Sequence, residues 1–128
     1  MKPLLIVEIV SALVALAALV WLVWYLACSK RRRAGKAACG ASLSTHVKVS
    51  MALCGAAVVH GISAVAYASG ALTATYVLGA AGLACFVLSG MCMAGPVRGR
   101  LKNPARLHMG LFVGGLMLVV AHMVVGRL

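Results

Sequence analysis

A chain of 128 residues that is 64% hydrophobic, with a mean hydropathy of +1.08, has too little interior to hide its apolar surface from water. Its net charge of +11 comes from twelve Lys and Arg against a single acid, Glu8, and the cations stand in short segments between apolar runs. That patterning excludes a soluble nucleic-acid binder and reads as one all-α membrane domain, with the lipid bilayer as partner.

Four stretches reach the roughly 20 apolar residues that a helix needs to cross a bilayer. They run over about residues 3–28, 46–69, 72–94 and 104–127, which predicts an integral membrane four-helix up-and-down bundle. The first begins after Lys2 and ends in Tyr25-Leu26-Ala27-Cys28, which looks superficially like a signal peptide. Its apolar run is too long for such a segment and a basic cluster follows at once, so a retained helix is expected. Trp21, Trp24 and Tyr25 form an aromatic belt at its end, and Glu8 lies about one turn inside its other end. The loop beyond carries Lys30, Arg31, Arg32, Arg33 and Lys36.

Ser44 and Thr45 are placed to cap the second stretch, which carries His46, Lys48 and His60. Ser69-Gly70 predicts a tight turn to the third stretch, which holds Gly79, Gly82 and Gly90 and is ended by Gly95-Pro96. A second basic loop follows, with Arg98, Arg100, Lys102 and Arg106. Asn103-Pro104 reads as cap and first helical residue of the fourth stretch, which carries His108 and His122. The five cysteines form no CxxC pair and are odd in number, so small buried hydrophobes are expected rather than a disulfide framework. Met51, Met109, Met117 and Met123 are expected to pack rather than to ligate.

Charge sets the expected topology. The two basic loops fall on one side of an up-and-down arrangement, and the positive-inside rule makes that side cytoplasmic, with both termini outside. The expected location is a bacterial or organellar inner membrane. The second and fourth helices then run parallel, and the four histidines fall into register. His46 and His60 are fourteen residues apart, and so are His108 and His122. Two heptads keep both members of a pair on one face, about 21 Å apart along the axis. His46 and His108 share an inner depth, and His60 and His122 an outer one.

An imidazole within a membrane is a functional-site hypothesis by default. Zinc would ask for four ligands in a tetrahedron. Haem brings four equatorial nitrogens and needs only axial ligands. Two bis-histidine haem b groups therefore fit the count and the depths, with His46 and His108 on the inner iron and His60 and His122 on the outer. Gly79, Gly82 and Gly90 would make room for the macrocycles, as would Gly55, Gly61, Gly110, Gly114 and Gly115, or all could serve ordinary small-residue helix packing. Lys48, Arg98, Arg100 and Arg106 are candidates to meet inner propionates, and Lys2 and Arg127 outer ones, although retention of basic loops by anionic lipid explains them equally. Glu8 can carry protons for quinone chemistry, or simply snorkel beside Lys2.

Two helices that each carry His-x13-His resemble the four-helix diheme core of the cytochrome b family of quinol:cytochrome c oxidoreductases. The resemblance covers His46, His60, His108 and His122. It implies a diheme electron conduit that serves as a small subunit of a larger redox complex or self-associates. The chain differs from that family in having no glycine in its first helix and no Pro-Glu-Trp-Tyr segment. Two readings of other classes stand beside this one: a small four-helix proton-coupled transporter that uses Glu8, and a cofactor-free assembly subunit.

Overall fold

The computed structural model describes residues 2–33, 42–67 and 73–126. Among them the protein is all-α, with helices α1 (Lys2–Arg33), α2 (Leu43–Tyr67), α3 (Ala74–Cys92), α4 (Gly95–Arg98) and α5 (Pro104–Val125). The four long helices are each long and apolar enough to cross a membrane, as expected of an integral membrane protein. Their apolar residues do not segregate onto one stripe. Leu13, Val20, Ile62, Val77 and Met117 are all 60–67% exposed, which suits lipid contact and would be costly in water.

Helix ends depart from the sequence expectation in ways that local chemistry explains. α1 continues past Cys28 to Arg33, because Ser29, Lys30 and the three arginines are adequate helix formers and Gly35 is the first breaker. α2 begins at Leu43 rather than His46. Its cap is Ser42, whose Oγ accepts the Thr45 N–H at 3.1 Å and lies 3.0 Å from Thr45 Oγ1, so Ser44 and Thr45 are inside the first turn. α3 stops at Cys92, and Gly95-Pro96 opens the short α4 rather than closing α3. Proline suits a first turn, where its missing N–H costs nothing. Asn103 does precede Pro104 at the start of α5, but its side chain makes no capping hydrogen bond. The Ser69-Gly70 turn, Lys36 and Arg127 lie outside the described residues, as do the side chains of Lys2 and Arg31 to Arg33.

The chain divides into two compact units, Met1–His60 and Gly61–Leu128. In the first, α1 and the larger part of α2 are antiparallel, since His46 meets Tyr25 and His60 meets the Glu8 carbonyl. Ser11, Ala18, Leu19, Leu22 and Leu53 are buried there. In the second, α3 and α5 are antiparallel and closely packed. Gly115 admits the Phe86 ring and Cys85, and Gly82 admits Val119 and Leu118. Phe86 and Phe112 add a tilted ring pair at 5.7 Å. The Tyr76 hydroxyl donates to the Ala64 carbonyl at 3.3 Å and ties the end of α2 to α3.

Two expectations about sulfur need correcting. Cys28 is disulfide-bonded, whereas Cys54, Cys85 and Cys92 are free, with Cys92 buried. The odd count concealed a pair because composition says nothing about which thiols a helix end brings close. Met51, Met109, Met117 and Met123 lie on exposed faces rather than in a packed core.

Candidate functional site

Each histidine pair sits on a heptad stripe with a buried residue midway. In α2 the stripe is His46, Leu53, His60, and Leu53 is 4% exposed. In α5 it is His108, Gly115, His122, and Gly115 is the buried residue of that helix. Seven-residue spacing keeps such a stripe facing one antiparallel neighbour. All four imidazoles are half-buried.

In the first unit, the His46 ring stacks on Tyr25 at 4.7 Å between centroids and 23° between planes. Tyr25 in turn stacks on Trp21 at 5.4 Å, and Trp21 tilts against Trp24 at 6.0 Å. Nδ1 of His46 is shielded from solvent. At the other end of α1, Nδ1 of His60 lies 3.3 Å from the Glu8 carbonyl. A carbonyl only accepts, so this geometry puts the proton on Nδ1 of His60. The buried Ser11 hydroxyl donates to the Val7 and Glu8 carbonyls at 2.7 and 3.0 Å, which adds a second polar group at that carbonyl.

The second unit repeats the device with shorter bonds. Nδ1 of His122 donates to the Thr75 carbonyl at 2.8 Å. Gly79 makes this possible, because a Cβ there would lie 3.2 Å from that same nitrogen. At the far end, Nδ1 of His108 lies 2.9 Å from the Ser89 carbonyl and 2.8 Å from Ser89 Oγ. The Ser89 hydroxyl donates to the His108 carbonyl at 2.9 Å. Its hydrogen is thereby spent, so Oγ can only accept from Nδ1, and His108 too carries its proton on Nδ1. Ser89 is 2% exposed and closes a reciprocal clasp across α3 and α5.

Three of the four imidazoles are thus oriented by main-chain carbonyls and held in one tautomer, with the lone pair on Nε2. This is the arrangement that metal-ligating histidines commonly show, where a carbonyl on the second nitrogen fixes the ring and raises its basicity. No three of His, Cys, Asp and Glu come together among the described residues.

The glycines divide by surroundings. The room at Gly79 and Gly82 is taken up by His122, Val119 and Leu118 of α5. Gly90 is exposed, and a Cβ there would meet nothing within 4 Å, which is also true of Gly55, Gly61, Gly110 and Gly114. Arg98, Arg100 and Arg106 are exposed at the α4–α5 corner, and Lys48 is exposed in the first two turns of α2. Glu8 is half-buried, and its main-chain oxygen is the atom that meets His60. Sequence reasoning missed Tyr25 as a ring partner, Ser89 as a clasp, and the carbonyls of Glu8 and Thr75. Ser89 alone left a signal, as a hydroxyl within the apolar run of α3. No protein family, curated protein or solved structure matches the chain.

Proposed function

We propose that this protein is a membrane diheme b-type cytochrome that carries electrons across the bilayer as part of a larger redox complex. The reading rests chiefly on one observation: Nδ1 of His60, His108 and His122 is turned onto a main-chain carbonyl, so each Nε2 carries the lone pair needed by iron. The sequence register pairs His46 with His108 and His60 with His122, as in the diheme core that the His-x13-His pattern resembles. The levels are about 21 Å apart along the helix axis.

When bound, each haem supplies a one-electron iron couple. What the chain supplies is orientation and burial. The Ser89 clasp and the Thr75 and Glu8 carbonyls keep three rings from rotating, and the Tyr25 ring holds the fourth by stacking. Two histidines on one iron leave no position for oxygen or substrate, which favours electron transfer over chemistry at the metal. The basic ends at Lys30 and at Arg98 to Arg106 are assigned to the cytoplasmic side, with both termini outside. A quinone is a fitting exchange partner in the lipid phase, and other redox subunits or further copies of this chain would complete the path.

The test is a reduced-minus-oxidised spectrum of the purified protein with a pyridine haemochrome count. The expected result is a b-type signal at two haems per chain. His60→Ala or His122→Ala removes one component of the redox titration, and His46→Ala or His108→Ala removes the other. Colourless protein that moves organic cations would replace this reading with the transporter. Equal loss of both components in every variant would refute the pairing.

A further inference from the structure

At the start of α5 a pocket of about 470 Å³ opens beside Lys102, Asn103 and Arg106, with Leu101, Leu107 and Leu111 forming its apolar wall. Gly110 also lines it, and a Cβ there would meet nothing within 4 Å. The Asn103 amide makes no helix-capping bond, so the first turn of a 22-residue helix presents its N–H groups without a side-chain cap. Arg98, Arg100, Lys102 and Arg106 fall within nine residues, and no acid occurs anywhere in residues 61–128. Such a cluster has no acidic side chain to pair with in its own unit. The pocket also lies where the apolar run of α5 begins, at one end of a membrane-length helix. Cations and an amide at that end, with leucines continuing along the helix, match a phosphate headgroup joined to acyl chains.

Arg106 was one candidate for a haem propionate. It stands two residues before His108, and at about 100° per residue this turns it about 200° around α5, to the opposite side of the helix. Its place in the pocket offers the better partner. We infer that this pocket is a binding site for one anionic phospholipid, with Lys102 and Arg106 on the phosphate, Asn103 on its oxygens, and Leu107 and Leu111 along an acyl chain. The inference needs the chain to be in a membrane and does not need haem.

The experiment reconstitutes the full chain in phosphatidylcholine bilayers with a minor share of phosphatidylglycerol, extracts it in mild detergent, and counts retained lipid by native mass spectrometry. Wild-type protein is expected to keep roughly one phosphatidylglycerol per chain and to discriminate against phosphatidylcholine. The double variant Lys102→Gln/Arg106→Gln and the space-filling Gly110→Leu should each lower retention at least about tenfold. Arg100→Gln, outside the pocket, should not. Helix content by circular dichroism identifies any variant that misfolds, and the two lesions act by unrelated means. Equal retention by all variants overturns the site. So does equal loss in Arg100→Gln, which would mean a diffuse charge effect. Loss of haem from the double variant with lipid retained would return Arg106 to a propionate. Colourless protein that still retains phosphatidylglycerol would refute the haem reading and leave this site standing.

Discussion

Ser89 and His108 hold one another through both of their polar groups, and the consequence belongs to one bond. Ser89→Ala removes the hydroxyl but leaves the residue 89 carbonyl to accept from Nδ1, so the ring keeps its tautomer and loses one partner. The expected cost in thermal stability is about 1 kcal/mol. In the haem reading, the count stays at two per chain and one midpoint potential shifts, while the other, governed by His60 and His122, does not. A redox titration of the variant beside the wild type checks this. A purely structural serine would lower stability and move neither potential. Ser89→Thr, which restores a hydroxyl, should recover most of the shift. The serine was visible in the sequence as a polar residue in an apolar helix. Its partner was not, because the α3–α5 register that brings residue 89 to residue 108 arises only from packing.

Glycine decides how closely α3 and α5 approach. A Cβ at position 115 would lie 2.9 Å from Phe86 Cε1 and 3.1 Å from Cys85 Cβ, and one at position 82 would lie 3.1 Å from Val119 Cγ2. The Phe86 ring is buried. Gly115→Ala should therefore push the helices apart and cost about 1–3 kcal/mol. At Gly90, where a Cβ meets nothing within 4 Å, alanine should be neutral or stabilising by up to about 1 kcal/mol, since glycine is a poor helix former. Thermal unfolding of both variants in the same detergent checks the contrast. The small-residue content of these helices was legible in the sequence. Which glycine is a contact and which faces open space was not, because 3.6-residue periodicity is uninformative when every face is apolar. Helix ends were misjudged for a related reason. Hydropathy marks where the apolar run stops, whereas α1 runs on through Lys30 to Arg33 on backbone propensity alone.

Over the whole molecule, two indicators bear on which side of the membrane the basic ends occupy. On the proposed topology, the basic residues at the end of α1 and from α4 to the start of α5 face the cytoplasm. Cys28, at the same end of α1, is disulfide-bonded, and cytoplasmic thiol pools normally reduce such bonds. The cytoplasmic assignment therefore predicts that Cys28 is kept as a thiol in the living cell. Alkylation of intact cells with a membrane-permeant maleimide before lysis, followed by peptide mass spectrometry, should find Cys28 modified. A Cys28 that becomes reactive only after reductant is added would place the basic end on the oxidising side and invert the topology. The same labelling should spare Cys92, which is buried.

The sequence alone determined the membrane class, the number of long helices and the heptad pairing of histidines, because all three depend on hydropathy and spacing along one chain. It could also say that four histidines in apolar runs require partners. Tertiary structure alone decided who those partners are: Tyr25 for His46, the Glu8 carbonyl for His60, Ser89 for His108 and the Thr75 carbonyl for His122. Three of these four contacts involve main-chain carbonyls, which every residue carries and no sequence pattern can mark. Only the packing of one helix on another selects which carbonyl meets which ring.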